Sequence, residues 1–127
     1  MAKAFLSHSS ENKSLVRAVF DQVKAASAHY DIVTFEEGEA TDHEIEAALA
    51  DTDLFVLFAS QPALESPWVK KELAIAKHRI AAGAFQAVQV FVIEGFDTKK
   101  LPDWLRQYVY SKKVNAKLIG HQIRSRL

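Results

Sequence analysis

Cysteine is missing from all 127 residues, so disulfides and thiolate metal sites are excluded, as suits a reducing compartment. Glycine is scarce. Its four copies are widely scattered, and neither the phosphate loop GxxxxGK[ST] nor the dinucleotide fingerprint GxGxxG occurs. An excess of charge of one sign is also lacking, since sixteen basic residues cancel sixteen acidic ones. No Lys or Arg cluster is dense enough to track a phosphate backbone, which argues against nucleic acid as a partner. The mildly basic tail, with Lys112, Lys113, Lys117, Arg124 and Arg126, reads as a solvated face. No apolar run approaches a membrane span and the N-terminus up to Glu11 has no signal-peptide apolar region, so a cytoplasmic protein without membrane contact is expected. The length suits one domain over residues 1–127 with a sizeable core.

What is present is organised around Glu65 to Arg79, ESPWVKKELAIAKHR. Ser66 is a good N-cap and Pro67 suits a first helical position, so the pair predicts a helix running to about Ala82, where Gly83 ends it. Trp68 and Glu72 stand four residues apart. That spacing stacks an indole and a carboxylate on one face, bordering an apolar stripe of Val69, Leu73, Ala76 and Ile80. Helix periodicity alone also accommodates a solvated Glu72 paired with a neighbouring lysine.

The remaining elements alternate. Lys3 to Ser7 reads as a strand ending in Ser-His-Ser-Ser, and Glu11 to about Ala28 as a helix with Leu15, Val16, Val19, Phe20, Val23 and Ala26 at helical spacing. Tyr30 to Phe35 is a second strand, followed by an acidic loop. Thr41 and Glu44 form a capping box for a helix that turns Ile45, Ala48 and Leu49 inward and ends near Asp51. Leu54 to Ala59, LFVLFA, is apolar throughout, the mark of a strand covered on both faces and hence the centre of the sheet. Ala87 to Ile93 supplies a fourth strand, Pro102 to Arg106 a short helix, Tyr108 to Ser111 a minimal edge strand, and Val114 to Leu127 a closing helix. This order predicts an α/β fold, a flavodoxin-like open parallel sheet of about five strands with helices on both faces. Ser7 to Ser10, Phe35 to Gly38 and Ser60 to Glu72 should then share the carboxyl rim, where such sheets bind ligands.

Other chemistries on this architecture lack their residues. A phosphorelay receiver needs an aspartate ending the central strand, where Phe58-Ala59-Ser60 stands, and His8-Ser9-Ser10 suggests a flavodoxin phosphate loop only faintly. No GxSxG elbow marks a nucleophile, and the histidines at 8, 29, 43, 78 and 121 have no ligand spacing, so no metal site is expected. His8 stands at the rim, as a substrate contact or as a turn residue bonded to backbone.

FLSHSSENKSLV near the N-terminus, an acidic loop with Gly38 after the second strand, LFVLFAS as central strand and SPWVKKEL after it resemble a bacterial-type Toll/interleukin-1 receptor (TIR) domain. The resemblance covers essentially the whole chain. It implies that Glu72, four residues after the tryptophan, is the catalytic residue of an NAD+ glycohydrolase that releases nicotinamide and an ADP-ribose product in a defence or signalling pathway. NAD+ would be the substrate, with no cofactor. The chain departs from the family in its loop Phe35-Glu36-Glu37-Gly38-Glu39, which lacks the usual aspartate and Pro-Gly turn, and in having no evident aromatic motif near the last helix.

One carboxylate suffices for that chemistry, because nicotinamide leaves as a neutral molecule and only the positive charge on the sugar needs stabilising. Glu72 would take that role, Trp68 would pack against nicotinamide or ribose, and Ser7, His8, Phe35 and Gly38 would complete the substrate site, with Glu36 and Glu37 as possible helpers. Catalytic TIR domains are generally switched on by self-association, so a homo-oligomer is expected, its acidic loop seeking a basic surface at Lys70, Lys71 and Lys77. The chain reads either as a free-standing domain or as the effector part of a larger sensor protein. Two alternatives remain open, a non-catalytic TIR assembly module and a nucleoside deoxyribosyltransferase-like enzyme.

Overall fold

In the computed structural model, residues 2–26, 30–35, 40–83, 87–93 and 95–111 are described. The sheet is built around β3 (Leu54–Ala59), whose six residues are all buried. Each fully buried Leu, Val or Phe side chain there contributes roughly 1.5–3 kcal/mol by leaving water. β1 (Ala2–Ser7) pairs with it on one side and β4 (Ala87–Val92) on the other; β2 (Tyr30–Val33) and β5 (Val109–Ser111) form the edges. All four pairings are parallel, and the order 2-1-3-4-5 is the flavodoxin-like one. The expected five-stranded parallel sheet is what forms, with the fifth strand reduced to three residues and a register irregularity at Val90/Phe91.

Alternation along the strands divides the core into two clusters. Phe5, Phe55, Leu57, Ala59 and Val90 face Ile45 and Leu49 of α2 (Asp42–Ala50), Ala63 of α3 (Gln61–Glu65), Trp68, Val69, Leu73 and Ala76 of α4 (Pro67–Ala81) and Leu105 of α5 (Asp103–Arg106). Ala4, Leu6, Leu54, Val56, Phe58 and Phe91 face the other way, toward Val16 and Val19 of α1 (Lys13–Ala26).

The caps explain most element boundaries. Thr41 Oγ1 accepts from the Glu44 amide while the Glu44 carboxylate accepts from the Thr41 amide, the reciprocal box the sequence predicts. Gly83 adopts φ +69, the left-handed conformation that ends α4 after Ala82. The first helix differs from expectation. Ser9 caps a 3-10 turn over Ser10–Asn12, and α-helical geometry begins only at Lys13. α3 and a 3-10 turn at Thr98–Lys100 were not anticipated, being too short to show a period. The closing helix expected over Val114 to Leu127 lies outside the described residues.

Gln89 breaks the apolar pattern of β4. It is 1 % exposed, registers with Val56, and neither its Nε2 nor its Oε1 has a hydrogen-bond partner among the described residues. A buried amide so placed costs about 1–3 kcal/mol. Gln89→Met keeps the shape and removes the unpaired atoms, so it should stabilise the fold by about that amount. Urea unfolding measures it, and a loss of stability would mean the amide is satisfied.

Candidate functional site at the carboxyl rim

Ser7 ends β1 and Ala59 ends β3, neighbours in the sheet on either side of the point where strand order reverses. The chain leaves β3 through two linked caps. Ser60 Oγ accepts from the Ala63 amide to start α3, and Ser66 both closes α3 and opens α4, its Oγ accepting from the Val69 amide. Pro67 follows as the first residue of α4. This joint sets the rotational phase of the helix, turning Trp68, Val69, Glu72, Leu73 and Ala76 to the sheet.

Glu72 is not at the border of the buried face but in it, at 1 % exposure. Ser7 Oγ donates to Glu72 Oε1 at 2.8 Å, a contact that spans 65 residues of sequence, while Oε2 has no partner among the described residues. Burial penalises the charged form and pushes the carboxyl up to about 8; the Ser7 hydrogen bond pulls the other way and only partly offsets this. Burial thus favours the neutral acid over the carboxylate that the sequence led one to expect.

Trp68 lies one turn earlier at 8 % exposure, its Nε1–H also without a partner among the described residues. The Lys71 ammonium sits 5.9 Å from its ring centroid and is held by Asp42 at 3.0 Å. Ser7, expected to line an open rim, is fully buried, and its hydroxyl is committed to Glu72. His8 is 5 % exposed, with Nδ1 3.2 Å from Thr34 Oγ1. Thr34 gives its single hydroxyl proton to the Leu6 carbonyl at 2.8 Å, so the histidine donates through Nδ1–H. Phe35 is half-buried and meets Phe5 edge-on, centroids 5.9 Å apart. Gly38, with Glu36, Glu37 and Glu39, lies outside the described residues.

Two features went unread in the sequence. Thr34 ties the end of β2 to β1, and Ser60 Oγ donates to Asn12 Oδ1 at 2.8 Å, tying the exits of β1 and β3 together. Nothing local marks either pair, whose members lie 28 and 48 residues apart. The basic surface expected at Lys70, Lys71 and Lys77 is also altered. Lys71 is engaged by Asp42 and Trp68, and Lys77 lies over the Trp104 ring at 5.9 Å, which leaves Lys70 without such a contact among the described residues.

A flavodoxin-order parallel sheet with a buried carboxyl at its switch point defines a doubly wound α/β domain with a candidate site at the carboxyl rim. A sequence model of the TIR domain matches residues 4–118, and the chain belongs to that family. A search of curated proteins gave no match. TIR domains serve in signalling and commonly self-associate, and the family includes NAD+-cleaving enzymes. Among the described residues, no helix is long and apolar enough to cross a membrane.

The raised Glu72 carboxyl makes stability depend on pH with a definite sign. Between about 4.5, the ordinary value, and about 8, the unfolded chain has lost a proton that the folded chain keeps, so stability falls as pH rises across that window. Glu72→Gln has nothing to titrate. It should be close to wild type in stability near pH 4.5 and progressively more stable up to pH 8, by at most roughly 5 kcal/mol. Denaturant midpoints of both proteins across that range test this, and a constant gap would remove Glu72 from the titration.

Proposed function

We propose that this TIR domain is an NAD+ glycohydrolase that releases nicotinamide and an ADP-ribose product, and that it works best when self-associated. The observation that carries the reading is Glu72, a carboxyl buried at the switch point, oriented by Ser7, with its second oxygen unpartnered among the described residues. In the reaction the bond between ribose C1′ and the pyridinium nitrogen breaks, and its electron pair neutralises the departing nicotinamide. Positive charge is left on the sugar. Water adds at C1′ and gives up a proton, completing the hydrolysis. No general acid is needed for departure, so the role open to Glu72 is electrostatic.

Neutral Glu72 cannot play that part, and the substrate itself supplies the remedy. A pyridinium cation brought close in a water-poor site favours the charged carboxyl, so binding near pH 7 expels the proton. Ser7 holds the ionised oxygen in place as the sugar charge develops. In the free enzyme kcat/KM should rise with pH and level off above about 8. Glu72→Gln should lose at least about 10²-fold in nicotinamide release, roughly 3 kcal/mol of transition-state stabilisation, while staying folded. Full activity in that variant would sink the assignment. Nicotinamide release by the wild type also separates this reading from an inert assembly module.

Self-association enters because Glu72 and Trp68 are almost wholly covered in the single chain. A neighbouring copy that rearranges the rim would expose them to a dinucleotide. Specific activity should therefore climb with protein concentration. A dilution series with parallel light scattering checks this, and constant activity from a protein that stays monomeric would show that one chain builds the site.

A further inference from the structure

α2 and α4 pack against the same core cluster, and between their outer surfaces lies an open groove with a volume of about 360 Å³. Glu46 comes from α2, while Ala74, Ile75, His78, Arg79 and Ala82 come from the second half of α4 and its C-cap. The groove is separate from the rim. Arg79 stands seven residues beyond Glu72, about 10 Å further along the helix, and Val69, Glu72, Leu73 and Ala76 face the sheet instead.

The two walls carry opposite charges, Glu46 on one and Arg79 with His78 on the other, and between them Ile75 is half-buried against the core beneath. Those charges are unused. Lys71 and Asp42 close on each other between the same two helices, yet neither Glu46 nor Arg79 is in a salt bridge among the described residues. An acid on one wall and a base on the other make the groove complementary to itself. A two-fold axis through its middle sets Glu46 of one copy over Arg79 of the other and, by the same operation, Arg79 over Glu46. Ala74 and Ala82 leave room for the helices to approach closely, and a net charge of zero adds no long-range repulsion between copies.

We propose that this groove is the face through which two copies of the chain pair about a two-fold axis, Glu46 and Arg79 exchanging ion pairs around Ile75. Its role in activity rests on the self-association proposed above; the pairing itself does not. The groove leaves the rim uncovered. α4 carries the groove on its later turns and Glu72 on its second, and helices at subunit interfaces shift by about 1–2 Å, so a partner held there acts on the buried carboxyl through the body of the helix.

Sedimentation velocity of the full chain, over a dilution series up to about 1 mM, reads a weak and reversible contact of this kind. Wild type should dimerise, and less so at high salt. Glu46→Arg sets like charges opposite one another, and so does Arg79→Glu, so each should weaken pairing by at least about tenfold. Mixed in equal amounts the two should dimerise again, since each then meets the opposite charge at both positions. Growth of the mixture beyond dimers would mean a head-to-tail contact and overturn the two-fold arrangement. Circular dichroism checks that both variants are folded. Should a reversal unfold the chain, Glu46→Gln and Arg79→Gln carry the test, each weakening pairing with no rescue on mixing.

A wild type that stays monomeric throughout would leave the groove to some other partner and overturn the proposal, as would unimpaired dimers in either variant or a mixture of the reversed pair that stays monomeric. Nicotinamide release measured alongside keeps the two readings apart. Pairing and rescue with no gain in specific activity leave this surface in place and remove self-association from the proposed function. Activity that climbs with concentration while pairing ignores both substitutions does the reverse.

Discussion

A carboxyl group buried on a helix has to be held, and in this domain the hydroxyl that holds it lies on a different layer of the fold. The 2.8 Å bond from Ser7 to Glu72 joins the last residue of β1 to the second turn of α4, and the position of each is set by elements far from it in sequence. Ser7 is fixed by the pairing of β1 with β3, while Glu72 is fixed by the serine joint that starts α4. If either drifts by a rotamer, a buried polar group is stranded at a cost comparable to a large share of a domain's net stability. The surrounding apolar contacts are less demanding, because they tolerate adjustment as long as volume is kept.

The same carboxyl carries a tension between folding and chemistry. Its neutral form suits the apolar surroundings, whereas the proposed reaction needs the charged one. Sites that perturb an ionisable group in this way are commonly less stable than their inert counterparts. The Glu72 oxygen and the Trp68 indole, both unpaired among the described residues, belong to that pattern, and both are on the element that meets the switch point. Gln89, on β4, is unpaired among the described residues with no comparable surroundings, and nothing in the structure explains it.

Much of this was legible beforehand, for reasons that differ from element to element. LFVLFA could only be a doubly covered strand, Thr41 with Glu44 announced a helix start, and Ser66-Pro67 announced α4 to the residue. The Trp68 and Glu72 pairing was visible because i and i+4 share a face. Its burial was misjudged because a charged side chain was taken to mark the edge of the apolar stripe. Position 72 falls within about 40° of Ala76 and about 60° of Val69 around the helix, well inside the stripe. Thr34 with Leu6, and Asn12 with Ser60, could not have been found, since side-chain bonds between separate loops leave no periodic trace. The salt bridge from Lys71 to Asp42 was hidden for the same reason.

Ser66 serves as the last residue of one helix and the cap of the next, so no spacer separates α3 from α4. Such a junction has no slack. Adding or deleting one residue there would turn everything downstream by about 100°, carrying Glu72 away from Ser7 and setting Lys71, on insertion, or Leu73, on deletion, in its place. Loops elsewhere on the rim can change length at little cost, since the entropy of closing them grows slowly with length. Length variation among domains of this type should therefore avoid the step between α3 and α4, making it a fixed ruler from which the glutamate's position can be counted.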